Sequence, residues 1–408
     1  MSRIRNAIAM SDLHLGSPES FLHSNSPFYE KNRNALLELL RILGPREELI
    51  INGDFLELAI TGHDAIYRDV KSFFSILSEA GPYDRIVYIP GNHDHHFWRS
   101  LVELMNIDGN ILKGIDPPGR ELYLYCFVDA RFSSKDKNLP YEIMLSRLWP
   151  EDKEPPEIVV KYPHHLVRIE GNDGKEQCYL FTHGHYLESL FKPVNFLIRP
   201  ALLEELEAFN NIWLEAFNYN IGHAGKLSVK AIELLESYQK REKEAKETVL
   251  LLLKKSYEFL KDVLKLRWPK TLLLKHSLKL LFKKITFESK SGLFDVSIDE
   301  PLKESIAHYI AKYVLHRYKR GKAGEYYFPR DTDIPTPFTF VFGHTHRPIR
   351  EEDRNYAKVF VQGNIYPLLN TGGWIRSVLA ENDSGTTTGL LAIDTDGSRW
   401  ESLEGKLK

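Results

Sequence analysis

The chain has 408 residues, of which 54 are basic and 56 acidic, with 43% hydrophobic and 27% charged. That length allows two or three domain-sized units, and the near-zero net charge excludes a globally attracted nucleic-acid or anionic-membrane binder, leaving only local attraction. Two cysteines, Cys126 and Cys178, exclude a disulfide framework and a four-cysteine zinc site, and point to a reducing cytoplasm. The segment before Ser11-Asp12 lacks the long apolar core of a signal peptide. Apolar runs such as Val249–Leu253 are too short to cross a bilayer.

In chain order, Arg5–Met10 is an apolar run that ends at Ser11-Asp12. Residues 34–42 carry leucines at helical spacing, and Glu48–Ile51 reads as a strand stopping at Asn52-Gly53-Asp54. A second helix is expected over Asp69–Leu77, then a strand over Arg85–Ile89 that stops at Pro90-Gly91-Asn92. This alternation predicts a layered α/β fold. Further on, Glu121–Val128, His165–Glu170 and Gln177–Thr182 read as strands. Gly171-Asn172-Asp173-Gly174 joins the last two as a hairpin turn, and Trp149–Pro156 is a charged, proline-containing loop. From about 196 to 334 the chain is rich in Leu, Lys and Glu, and helices are expected near 198–218, 227–264, 270–284 and 300–320. Strand character returns over Phe338–Phe342, near 357–361, and at the C-terminus.

Five polar motifs follow strand-like runs: Asp12-Leu13-His14, Gly53-Asp54, Gly91-Asn92-His93-Asp94, Thr182-His183-Gly184-His185 and Gly343-His344-Thr345-His346. Each therefore falls at the C-terminal end of a strand, the edge where open α/β sheets gather ligands. Carboxylates, an amide and imidazoles make a mixed O/N donor set. Such a set suits Mn, Fe, Zn, Ni or Co better than Ca or Mg, and the absence of thiolates argues against structural zinc. Taken singly each motif is an ordinary turn; as an ordered set they are not five unrelated turns.

This ordered set resembles the calcineurin-like metallophosphoesterase superfamily, marked by D-x-H, G-D, G-N-H-D/E, H and G-H-x-H. The resemblance brackets residues 12 to 346. It implies an α/β fold, a four-layer α/β/β/α sandwich built from 1–195 and 335–408, with a large helical insertion over 196–334 as lid or cap. It further implies two divalent metal ions, Mn before Fe, Zn, Ni or Co. Asp12, His14 and His346 would hold one; Asn92, His183 and His344 would hold the other; Asp54 would bridge them. The implied function is hydrolysis of phosphomonoester, phosphodiester or pyrophosphate bonds by a metal-bridging hydroxide. His93 would protonate the leaving group or stabilise the transition state, with Asp94 orienting or charging it. His95 and His96 are bystanders on this reading, and His23, His63 and Asp64 have no role. His185 and Arg347 stand as phosphate contacts or as ordinary surface groups. The strings Ser11–Gly16, Gly343–Pro348 and Asn370–Trp374 are similar to those of bacterial UDP-diacylglucosamine pyrophosphatases. The chain departs from that subgroup in its greater length and in reading Thr-His-Gly-His where Asp usually ends the fourth motif.

The helical block is locally basic. Residues 249–290 carry eleven Lys or Arg against three acids, a balance of +8, interleaved with leucines and aromatics. The plain reading is a subdomain with a solvated lysine face. The sharper one is an amphipathic lid that meets a lipid-linked substrate or a membrane surface, which would make a cytoplasmic protein peripheral to the membrane; nucleic acid is less favoured. Two rival functions stand beside the phosphoesterase: a nuclease on the same fold, and a metal-free interaction scaffold, which the complete set of motif residues disfavours.

Overall fold

The structure is a computed structural model that describes residues 2–59, 61–117, 128–132, 145–172, 174–187, 300–315, 336–349, 357–375, 388–403 and 405–407, together with 214–220 and isolated positions between 207 and 275. Two mixed sheets face each other. The first joins β2 (Ala7–Met10), β3 (Arg46–Asn52), β4 (Tyr83–Ile89) and β6 (Glu157–Tyr162) in parallel. It closes antiparallel with β5 (Val128–Phe132) on one side and β12 (Gly389–Asp394) and β13 (Gly397–Ser402) on the other. The second runs β1 (Ser2–Arg3), β7 (His165–Glu170), β8 (Glu176–Phe181), β9 (Thr339–Phe342), β11 (Asn364–Asn370), β10 (Lys358–Val361). In it β8, β9 and β11 are parallel.

The apolar runs of β2 to β4 do not alternate with polar residues because both faces are buried. Ala7, Ala9, Ile50, Val87 and Ile89 point to the second sheet and meet Val167, Ile169, Tyr179, Phe181, Val341 and Leu369. Ile8, Met10, Leu49, Ile51, Ile86 and Tyr88 point the other way. There they share one core with Leu36, Leu39 and Leu40 of α1 (Tyr29–Leu43) and Phe73, Phe74 and Leu77 of α2 (His63–Ala80). These leucines and phenylalanines recur at the three- and four-residue spacing of one helix face. Helix α3 (His95–Glu103) leaves β4 and continues through a π turn over Leu104–Asp108.

The predicted strands and helices of the first half are present. The 171–174 turn closes the antiparallel β7–β8 hairpin, with Gly171 N–H donating to the Lys175 carbonyl at 2.8 Å. The strand expected over Glu121–Val128 falls mostly outside the described residues, and the described strand begins at Val128. Strands β6 and β11 were not anticipated. The helices expected near 198–218, 227–264 and 270–284 lie largely outside the described residues. The fourth is present as an α-helix over Glu300–Tyr309 that passes into a π-helix over Ile310–Leu315. It lies on the outer face of the second sheet: Leu302, Ile306 and Ile310 join the core, and the Tyr309 ring packs 6.2 Å from that of Phe340. The last segment of the expected insertion therefore supplies the outer layer of the sandwich, because β9 and β11 would otherwise leave an apolar face to solvent.

Candidate metal centre

Strands β2, β3, β4, β8, β9 and β11 end at the same edge, and their following loops are tied together by main-chain bonds. Asp12 and His14 N–H donate to the Gly53 and Asp54 carbonyls, each at 2.9 Å. Gly343 N–H donates to the His183 carbonyl at 2.9 Å. Trp374 N–H reaches from the second sheet to the Asp12 carbonyl at 3.0 Å.

Of six non-glycine residues with positive φ among those described, five are Asp12, His14, Asp54, His344 and His346. Each left-handed residue costs roughly 1 kcal/mol or more. Such backbone persists only where the surrounding bonds over-determine it, and it turns five side chains toward one point. The motif glycines make room for them. A Cβ on Gly53 would overlap the His183 ring, and one on Gly91 would overlap the Asp54 carboxylate. Gly343 is backed in the same way against Asp12, and Gly373 against His346.

Among the described residues the side chains form three adjoining groups, one of which, His14, Glu57 and His93, shares His14 with another. Asp12, His14 and His346 offer ligand atoms within 4.8 Å of one another, and so do Asp54, His183 and His344. His346 Nε2 lies 3.2 Å from Asp12 Oδ1. His183 Nε2 lies 3.2 Å from Asp54 Oδ2 and 3.0 Å from Asn92 Oδ1, which adds the amide to the second group. Asp54 Oδ2 is also 3.7 Å from His14 Nε2, so Asp54 stands between the groups. The seven residues expected to hold metal thus converge.

The outer atoms fix the tautomers. His183 Nδ1 donates to the Asn52 carbonyl at 3.1 Å and His14 Nδ1 to Glu57 Oε2 at 2.8 Å, which turns both Nε2 atoms inward and leaves the one on His14 with a free lone pair. His14 Nε2 is buried with no hydrogen-bond partner among the described residues. Burial keeps His14 below the usual imidazole range and therefore neutral. An inward lone pair without a proton donor is what a cation requires. Burial would raise the Asp54 carboxyl, but His183, His93 and His14 hold it well below its ordinary value. In turn Asp54 outweighs burial at His183 and raises it to about 9. The centre is a buried negative field that stabilises positive charge. The donors present therefore fit divalent cations.

His93 and Asp94 differ from expectation in how they are held. His93 N–H donates to Asp54 Oδ1 at 2.8 Å, and His93 Nδ1 is 2.8 Å from Glu57 Oε1. Asp94 directs Oδ2 to Tyr88 O–H at 2.5 Å and to Phe55 N–H at 2.8 Å, while Oδ1 accepts from Gly91 N–H. Its carboxylate is spent on holding the β3 and β4 loops together. The carboxylate in contact with the His93 Nδ1 atom is Glu57, whose two oxygens take one imidazole each. Burial pushes the Glu57 carboxyl up, but His93 and His14 bring it down to about 2. Sequence reading passed over Glu57; the available signal was a lone acid in the apolar run Phe55-Leu56-Glu57-Leu58 after the second motif.

The remaining candidates lie around this centre. His185 is buried with its ring 5.7 Å from that of His183, and Arg347 is half-buried. Asn370 Nδ2 donates to the Gly343 carbonyl and to Thr345 Oγ1, both at 3.0 Å, and Trp374 is fully buried. That loop braces the His344 turn. His23 is bound to Asp69 at 2.9 Å, a staple for the loop before α1.

Residues 6–199 match the family model of the calcineurin-like phosphoesterases. No match was found among curated proteins. The matched stretch contains Asp12, His14, Asp54, Asn92 and His183. His344 and His346 lie beyond it and are joined to the site by the geometry above. Over residues 6–199 the chain is similar to the calcineurin-like phosphoesterases, a family whose chemistry is metal-dependent hydrolysis of phosphoesters.

Proposed function

We propose that the enzyme hydrolyses a monoester, diester or pyrophosphate bond at two divalent cations. Asp12, His14 and His346 would hold one, Asn92, His183 and His344 would hold the other, and Asp54 lies where it would serve both. The observation that carries this reading is the pair of adjoining donor groups with Asp54 between them. A bound cation pair supplies an acidified water as nucleophile and positive charge at the phosphoryl oxygens. The mixed O/N donors favour Mn, with Fe, Zn, Ni or Co as alternatives.

The protein's own part is positional. Glu57 holds the rings of His14 and His93 by their Nδ1 atoms, so His14 Nε2 would be free to take a cation and His93 turns Nε2 away from Glu57. His93 is 28% exposed, so substrate can reach it. It donates a proton to the departing oxygen, and the Glu57 carboxylate stabilises the imidazolium before transfer. Asp94 acts through the loop it staples.

The substrate reading extends the same proposal. The +8 balance of 249–290 and the exposed Ile111, Leu112, Ile115 and Leu272 favour a lipid-linked phosphoester and a cytoplasmic enzyme that touches membrane, with the helical block as cap. Among the described residues no helix is long and apolar enough to cross a membrane.

The test is metal analysis of the purified protein followed by a Mn-supplemented panel: a phosphomonoester, a simple diester, a nucleotide-sugar-lipid pyrophosphate and single-stranded DNA. Metal-dependent turnover of one of the first three is expected. Cleavage of DNA alone would establish the nuclease alternative, and absence of bound metal would leave the scaffold. Co-sedimentation with anionic but not neutral vesicles checks the membrane contact.

A further inference from the structure

Outside the metal centre, one cluster of buried charges has no part in the chemistry so far. His95 and His96 open α3 directly after His93 and Asp94. His95 Nε2 is 2.6 Å from Glu207 Oε1, and its Nδ1 is 3.2 Å from Glu215 Oε1. The other Glu215 oxygen takes His96 Nδ1 at 2.7 Å and Arg99 Nη1 at 3.1 Å. His95 and Glu207 are essentially inaccessible to solvent. Tyr162 O–H donates to Glu207 Oε2 at 2.6 Å and accepts from Tyr186 O–H at 2.5 Å. Tyr186 stands three residues beyond His183. The two carboxylates thus brace the segment after Asn92 and His93 and the segment after His183.

Both carboxylates come from the insertion. Glu207, Asn211, Glu215 and Tyr219 follow each other at four-residue spacing, which is one face of a helix. The first three are buried. The Tyr219 ring stacks on His96 with centroids 3.5 Å apart and planes 9° from parallel. His223, four residues further, packs 4.6 Å from His63 at the start of α2. One face of the insertion therefore lies along the starts of α3 and α2, whose preceding loops carry His93 and Glu57.

We infer that His95, Glu207 and Glu215 clamp this helix face to the first turn of α3, making them positioning residues that hold His93 against the leaving group; the inference rests on the reading of His93 as proton donor. Apolar residues at these positions would stabilise the contact as well or better. What a buried, fully bonded ion cluster adds is register: an apolar face tolerates sliding, whereas His95 must sit between two fixed carboxylates. His93 lies two residues away, and a shift of about 1 Å in a reacting group can cost around 10²-fold in rate. The near end of the insertion is then a fixed wall of the active centre.

The test compares His95→Gln, Glu215→Gln and the doubly neutralised His95→Gln/Glu207→Gln with His93→Ala in the full-length, Mn-loaded enzyme. Each is assayed on a p-nitrophenyl phosphoester and the corresponding alkyl ester. A p-nitrophenolate leaves without a proton, so a misplaced donor affects only the alkyl ester. The clamp variants should lose about 10²-fold in kcat on the alkyl ester and keep p-nitrophenyl turnover, KM and metal content. Amide exchange of the wild type should show residues 93–99 and 207–219 protected together. Independent exchange of those segments, or equal losses on both esters by the clamp variants, would overturn the clamp. If His93→Ala also loses both esters equally, the proton-donor reading fails first.

Discussion

Glu57→Gln should damage the site more than its near-identical shape suggests. Two imidazole N–H groups donate to the carboxylate at 2.8 Å, one per oxygen, and both rings depend on that for their tautomer. A glutamine keeps one acceptor oxygen and places an N–H₂ at the other ring. That ring must then turn its lone pair outward and its Nε2 proton inward, or leave two donors facing each other. Loss of one charge-assisted hydrogen bond costs roughly 1.5–3 kcal/mol. If the amide meets His14, metal affinity falls about 10- to 100-fold. If it meets His93, affinity holds and the rate falls about 10²–10⁴-fold. Competition with a metal-sensitive dye, followed by turnover at saturating Mn, separates the two outcomes. Affinity and rate both within a factor of two of wild type would refute the argument that Glu57 sets either tautomer.

Three other outcomes follow from the geometry. Asp54→Asn removes the charge shared between the donor groups and should abolish both metal binding and activity, read by metal analysis of the purified variant. Gly53→Ala drives a methyl into the His183 ring at a positive-φ position, so metal content should drop while the melting temperature falls by several degrees, corresponding to about 1–3 kcal/mol. Stability should also fall on the alkaline side. Burial would lower His95, but Glu207 and Glu215 raise it to about 9. Because the folded-state value exceeds the ordinary 6.5, its stabilisation of about 3 kcal/mol is complete below pH 6.5 and fades as pH rises toward 9. Urea titrations across that range should show the decline in wild type and a flatter profile in His95→Gln.

The parts of the fold that can be read from sequence are those set by local pattern. Continuous apolar runs ending in Asp, Gly-Asp or Gly-Asn mark strands buried on both faces and show where the polar motifs begin; which motif residues would bind metal follows only from the family resemblance. Glu57, which the sequence does not single out, makes the contact to His93 that was expected of Asp94, because a carboxylate's partners depend on how loops fold back, and nothing near Asp94 announces Tyr88 and the Phe55 amide. His95 looked incidental for the same reason: its partners, Glu207 and Glu215, are more than a hundred residues away. Strand β6 was hidden beside a charged, proline-containing loop, and β11 carries a proline that pattern reading counts against a strand.

The bonds that reach Asp12 from Trp374 and from His344 have a consequence for how the enzyme comes into being. During synthesis the first sheet's candidate ligands emerge early, but two of the partners that hold Asp12, the His344 and Trp374 amides, arrive some 330 residues or more later. Such distant contacts form late in folding. Until the chain has been made through Trp374, the nascent protein carries scattered acids and histidines without a common centre. If the proposed centre binds metal, tight capture would report a finished fold, and a copy that stops short of Trp374 would lack it.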